Sequence, residues 1–176
     1  MSHTDQRVWC EAIKVVFPEY FRNTNVLDVG SADLNGSNKY LFDECRYKGI
    51  DILPWKNVDI IDTMHKHDFK GERFNVVVST NAFEHDKYCK KTLKRMTEVL
   101  KPKGLMFFTA CHSHQEHGTL KNKPDDSLTT QSDDVEWQNY YKSIKVQDIL
   151  FILKDFSSYY FDIYLHDLRL FGIKKG

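Results

Sequence analysis

Residues 25–37 read NVLDVGSADLNGS. The first five, with aliphatic Val26, Leu27 and Val29, have the composition of a strand buried on both faces. Gly30, Ser31 and Ala32, and then Asn35, Gly36 and Ser37, break the apolar run with small and polar residues. A loop of that kind lets backbone N–H groups come close to a ligand, and Asp28 at the strand end can accept hydrogen bonds that hold it. In an open sheet of parallel strands, ligands sit beyond the carboxyl ends, and the first such loop is the usual cradle. The fold class follows if the rest of the chain alternates in the same way.

It does. YKGIDI (47–52), VDIID (58–62), FNVVVS (74–79) and LMFFTA (105–110) are short runs rich in β-branched or aromatic residues. Between and before them lie helical spacings: Val8, Trp9, Ile13, Val16 and Phe17 ahead of Pro18, and Leu93, Met96, Val99 and Leu100 within residues 83–100. The second is expected to close at the Lys101-Pro102-Lys103-Gly104 turn. Residues 144–153 read as a further helix, and 158–166 and 168–174 as two strands close enough to form a hairpin. The pattern predicts an α/β fold: a doubly wound, Rossmann-like, mostly parallel seven-stranded sheet with one antiparallel edge strand and helices on both faces.

A length of 176 residues fits one domain. It divides into an N-terminal helix (1–24), a cofactor-binding core (25–110), a polar acceptor-side loop (111–141), and a helix with a terminal strand pair (142–176). Lys plus Arg and Asp plus Glu are both 25, so there is no global basic field and no strong nucleic-acid signal. Cys10, Cys45, Cys89 and Cys111 make no CxxC pair and read as free thiols of a reducing compartment. With no signal-peptide pattern and no run of membrane-spanning length, the expected location is cytoplasmic and no membrane partner is expected.

The ligand is narrowed by what the loop lacks. Ala32 stands where a dinucleotide fingerprint wants its second glycine, and no P-loop lysine follows Gly36. Asp33 beside the cradle suits a cationic ligand better than a pyrophosphate. Asp51, 21 positions past Gly30, stands where adenosine cofactors receive hydrogen bonds to ribose hydroxyls.

Together, VLDVGSADLNGS, YKGIDI, VDIIDTMH, FNVVVSTNAFEHD and LKPKGLMFFTA resemble the class I S-adenosylmethionine-dependent methyltransferases, and more narrowly the type-11 methyltransferase-domain proteins, over about residues 25–110. The resemblance implies S-adenosyl-L-methionine as cofactor and S-adenosyl-L-homocysteine as product. It implies that Gly30, Ser31 and Ala32 line the methionine part, with Asp28, Asn35 and Gly36 completing the loop, and that Asp51, followed by Ile52, binds the ribose. Asp62, Thr63 and Met64 would sit against adenine, and Asn81 and Ala82 would flank the sulfonium. The departure is Ala32 in place of the family's middle glycine.

Methyl transfer is an in-line displacement, in which positioning supplies much of the rate and a base is needed only if the acceptor loses a proton. Glu84 and His85 follow the fourth strand, at the mouth where an acceptor approaches; the plain alternative is helix N-terminal chemistry and packing. His112, His114, Glu116 and His117 crowd the loop after the fifth strand, where His112 and His117 are candidate bases and a solvated loop is the plain alternative. Tyr140, Tyr141, Trp55 and Phe83 read as packing or rim residues. The expected function is methyl transfer to an oxygen or nitrogen of a small-molecule, glycan-like or nucleotide-like acceptor. Alternatives are a non-catalytic binder of the same cofactor, a nicotinamide oxidoreductase, and a zinc hydrolase using the HSHQEH run (112–117), which lacks the longer downstream chain that motif accompanies.

Overall fold

The computed structural model describes residues 4–176. Seven strands form one sheet: β1 (Asn25–Val29), β2 (Arg46–Asp51), β3 (Ile60–Ile61), β4 (Phe74–Thr80), β5 (Leu100–Cys111), β6 (Phe156–Tyr164) and β7 (Asp167–Lys174). Their order is β3-β2-β1-β4-β5-β7-β6. β1 to β5 pair in parallel, and the terminal hairpin makes that side antiparallel, with β7 inserted between β5 and the outermost β6. The order reverses between β1 and β4, because the chain starts in the centre, runs outward to β3 and returns beside its own beginning. A crevice opens at such a switch point.

The period-2 pattern of each central strand sorts its side chains onto two faces. Val26, Val76, Val78, Leu105 and Phe107 point to the face covered by helix α1 (Thr4–Val16), where they meet Trp9, Cys10, Ile13 and Phe21. Leu27, Val77, Met106, Phe108 and Ala110 point to the other, against Leu93 and Met96 of helix α2 (Cys89–Val99) and Ile149 and Ile152 beyond. Phe107, fully buried, touches the rings of both Trp9 and Phe21.

Several expected elements shift. Val8 and Val16 are 58% and 65% exposed, and the buried face of α1 is Gln6, Trp9, Cys10 and Ile13. The run 83–100 is not one helix: a 3-10 turn, Phe83–His85, comes first, α2 starts only at Cys89, and Leu100 opens β5. The 101–104 turn is a bulge inside β5, where the pairing jumps from Phe74↔Leu100 to Val76↔Leu105. β3 is only two residues long, since Asp59 is drawn into a side-chain bond with the Gly49 N–H at 2.8 Å. The segment after β5 is not featureless: it contains 3-10 turns Pro124–Asp126 and Leu128–Gln131 and a single helical turn α3 (Val135–Gln138). The helix expected at 144–153 is a short α4 (Val146–Ile149) continued by a 3-10 stretch, Leu150–Asp155. Among the described residues no helix is long and apolar enough to cross a membrane.

Because Phe107 joins the sheet to both α1 and Phe21, Phe107→Ala is expected to cost about 3–5 kcal/mol of folding stability. Denaturant unfolding read as a fall in midpoint with unchanged slope checks this.

Candidate active site

The loops after β1 and β4 meet at the switch point. Gly30 has φ +73°, and a Cβ built on it would lie 2.3 Å from the Ala82 Cβ, far inside contact distance. Asn81, at φ +47°, turns the chain so that Ala82 can take that place. Asn81 is itself held: its N–H donates to the Thr109 carbonyl at 2.9 Å, and its side-chain oxygen accepts from the Thr109 hydroxyl at 2.9 Å. The Thr109 hydroxyl also pairs with the Gln6 side-chain amide of α1.

The cleft above this contact has a volume of about 1020 Å³ measured out to open solvent. It runs from Ile50, Asp51 and Ile52 past Asp28, Gly30, Ser31 and Ala32 to Asn81, Ala82 and His85. Asn35, Gly36, Asp62, Thr63 and Met64 also line it, so the structure brings together every residue that the resemblance assigned to the cofactor. The polar segment after β5 closes over it with Asp126, Ser127, Leu128, Thr129 and Trp137.

Its chemistry is set by two features. The first is that the N–H groups of the glycine loop are used internally. Gly30 and Ser31 both donate to the Ile50 carbonyl, at 2.9 and 3.3 Å, and Ala32 donates to the Asp51 carboxylate at 3.1 Å. The loop therefore does not present the cluster of free N–H donors that cradles a phosphate. The second is that Asp28, Asp51, Asp62, Asp86 and Asp126 line the cleft, with no Lys or Arg among them. A cationic sulfonium fits that lining and a pyrophosphate does not. Asp33 is not part of it. Its carboxylate faces away, ion-paired with Lys56 at 2.6 Å and accepting the Gly36 N–H at 3.0 Å, so it acts on the ligand only through loop shape. Trp55 is also outside the core and the cleft, 44% exposed, with its indole N–H on the Asp33 carbonyl.

Asp51 accepts the N–H of Ala32 on one oxygen and that of Ile52, at 2.8 Å, on the other. A carboxylate has about four acceptor positions, so two remain for hydroxyls in the cleft. At the adenine end, Asp62 takes the Thr63 N–H at 2.7 Å and pairs with His67. There the Thr63 hydroxyl and His65 Nδ1 are buried without a partner, two polar atoms available to a ligand's edge. Met64 is buried beneath them.

Past His85, which lines the cleft, Glu84 and His117 come together with it, one potential ligand atom of each within 4.8 Å of the others. Glu84 and His85 lie in the 3-10 turn, not at the start of α2. Burial holds the Glu84 carboxyl above its ordinary range. Burial, and then the neighbouring His117, lowers His85 to about 3, so it is neutral. The Tyr141 ring packs edge-on against both histidines, and its hydroxyl lies 2.9 Å from Cys111 Sγ. Gly118, at φ +60°, leaves the room His85 needs: a Cβ there would lie 2.6 Å from its Cε1. His112 is not brought to this corner. It is drawn across β5 to the Ile144 carbonyl, which its Nδ1 meets at 2.8 Å. His114 packs on His166. The HSHQEH run thus does not form a metal constellation of its own, and burial raises Cys111, making it a poor nucleophile.

Residues 1–148 match the model of a family described as a methyltransferase domain. The chain belongs to this family. S-adenosylmethionine is its methyl donor. Solved structures similar to this methyltransferase include the N-methyltransferase NodS from Bradyrhizobium japonicum WM9, 12% identical with 97% of both chains covered and a TM-score of 0.61. Another is 1,6-didemethyltoxoflavin-N1-methyltransferase from Burkholderia thailandensis, bound to 1,6-didemethyltoxoflavin and S-adenosylhomocysteine (17%, 98% of this chain and 83% of that one, TM-score 0.61). A third is phosphoethanolamine N-methyltransferase 2 from Haemonchus contortus with S-adenosyl-L-methionine (19%, 88% and 38%, TM-score 0.57). At these identities the likeness is one of fold. No curated protein matches the sequence.

Tyr141 packs at the rim, as its place in the sequence suggested. Sequence reasoning missed Gln6, since a glutamine in a helix has no period to mark it.

Asp28, at the base of the cleft, is fully enclosed and held at about 7 by burial, against the opposing hydrogen bonds from Tyr47 and Asn38. The folded chain thus keeps a proton that the unfolded chain releases near 3.8. This group's contribution is complete below that value and is lost as pH rises through about 7. Asp28→Asn removes the titration, so its melting temperature should change less between pH 5 and 8 than the wild type's, as differential scanning fluorimetry across that range can show.

Proposed function

We propose that this methyltransferase transfers the methyl group of S-adenosylmethionine to an oxygen or nitrogen of a small, hydroxylated or amine-bearing acceptor, glycan-like or nucleoside-like in character. The observation that carries the reading is the continuity of the cleft, from Asp51 over the Gly30–Ala82 contact to His85. Bound there, S-adenosylmethionine supplies a methyl carbon made electrophilic by its sulfonium sulfur.

The residues of this chain do the rest. Asp51 receives the ribose hydroxyls; Thr63, Met64 and His65 face the adenine; Gly30, Ser31 and Ala32 follow the methionine part. Asn81 and Ala82 hold the sulfonium region in place, and Leu128, Thr129 and Trp137 close the far side against water. The acceptor enters past His85, its heteroatom in line with the methyl at roughly 3 to 3.5 Å, and its proton leaves at the corner made by Glu84, His85 and His117. The acid-lined cleft favours a neutral or cationic acceptor over a phosphorylated one. The structural likeness to 1,6-didemethyltoxoflavin-N1-methyltransferase and phosphoethanolamine N-methyltransferase 2 lends support to a small-molecule acceptor.

Calorimetric titration with S-adenosylhomocysteine tests the cofactor site. Asp51→Ala is expected to weaken binding by about 1.5–3 kcal/mol, the worth of hydrogen bonds to a charged group. Gly30→Ala, which forces a side chain into Ala82, is expected to abolish it. A homocysteine-release assay over a panel of sugars, nucleosides and amines then identifies the acceptor class; binding without turnover on any of them would leave a binding protein in place of an enzyme.

A further inference from the structure

The corner formed by Glu84, His85 and His117 has properties that proton transfer alone does not require. Glu84 is completely buried, and among the described residues its Oε1 has no hydrogen-bond partner, while its Oε2 accepts a long bond, 3.4 Å, from the Cys111 N–H. His85 is buried, and its Nδ1 also has no partner among the described residues. Leaving such atoms unpaired is costly unless something binds them. His117 is half-buried at the rim, and its Nδ1 meets the Gln115 carbonyl at 3.0 Å. That bond fixes Nδ1 as the donor and leaves Nε2 with its lone pair. The same arrangement, a ring N–H donated to a backbone carbonyl, orients metal-binding histidines and sets their tautomer.

We infer that Glu84, His85 and His117 form a site for one divalent transition-metal ion of the zinc class, with an open coordination position at the acceptor end of the cleft. Two imidazoles and a carboxylate are a donor set suited to zinc. With bonds of about 2.0–2.2 Å, tetrahedral ligand atoms lie roughly 3.3 Å apart. The present limit of 4.8 Å requires only a small contraction, available because His117 sits on a loop. Gly118 keeps space open at the imidazole of His85, since a Cβ there would stand 3.2 Å from Nδ1. The Tyr141 ring backs both imidazoles.

The donors come from different places than the sequence run of histidines suggests: two from the turn after β4 and one from the loop after β5. The role of the ion rests on the methyl transfer proposed above, whereas the ion site does not. An acceptor hydroxyl bound at the open position loses its proton to solvent at the rim. Its oxygen lone pair then forms the bond to carbon as the carbon–sulfur bond breaks and that electron pair returns to sulfur.

The test is cobalt(II) and zinc titration of chelator-treated, full-length protein, with S-adenosylhomocysteine binding measured on the same preparations. The expected result is one ion per chain, visible absorption typical of low-coordinate cobalt(II), and displacement by zinc. His117→Ala, on a half-buried loop, and Glu84→Gln should each weaken metal binding at least tenfold, with S-adenosylhomocysteine affinity within about twofold of wild type. His114→Ala, outside the corner, should leave metal binding unchanged. Protein that binds S-adenosylhomocysteine but takes up no stoichiometric ion, or an ion lost with His114→Ala and kept with His117→Ala, overturns the site and leaves methyl transfer standing. Protein that takes up the ion on these residues but binds neither adenosyl compound removes the methyl-transfer reading alone.

Discussion

The architecture of the cleft depends on one steric fact, the approach of the Gly30 backbone to Ala82. The loops after β1 and β4 belong to strands that lie side by side only because the sheet order reverses between them. For their tips to touch, one must lack a side chain and the other must carry a small one. Gly30 meets the first condition and, at φ +73°, also adopts a conformation that a side chain would strain. Ala82 meets the second, aimed by the left-handed turn at Asn81. The floor of the cleft is thus made by backbone geometry at the switch point.

Electrostatics complement that geometry. Related folds that hold phosphates present free backbone N–H groups at this loop. Here those groups are spent on Ile50 and Asp51, which stiffens the loop and removes its attraction for anions. Five aspartates then line the cavity, and burial raises Asp28, Asp51 and Asp86. Burial weakens the hold on negative charge inside a narrow space, and a positive ligand restores it. Cofactor charge and protein charge are therefore coupled.

The legibility of the chain follows from how local each signal is. Strands β1 and β4 and the core of β5 could be read from composition because a strand buried on both faces must be apolar almost throughout. Asp51 and the glycine loop could be read because the spacing between them is imposed by two adjacent strands. The start of α2 could not: FEHDKY has helical composition, but the tight turn that puts Glu84 and His85 into the site ends before the helix begins. Loop histidines were equally opaque. His112, His114 and His117 are nearly adjacent in sequence, yet each has a different main partner, Ile144, His166 and the Glu84–His85 turn, although the His114 and His117 rings still touch. The face of α1 was misjudged for a related reason, as a buried Gln6 has the appearance of a solvent-facing residue until its partner on β5 is known.

That glutamine links the outermost layer of the molecule to its chemistry. Gln6 meets Thr109 on the face of β5 that α1 covers, and Thr109 in turn grips the side chain of Asn81, whose backbone turn brings Ala82 against Gly30. The opening helix consequently serves as a remote brace for the Gly30–Ala82 contact. A slight slide of α1 over its apolar bed, too small to disturb the packing of Trp9 or Ile13, would loosen Asn81 first, so changes at the protein's outer edge can register as altered turnover in a fold that still looks intact.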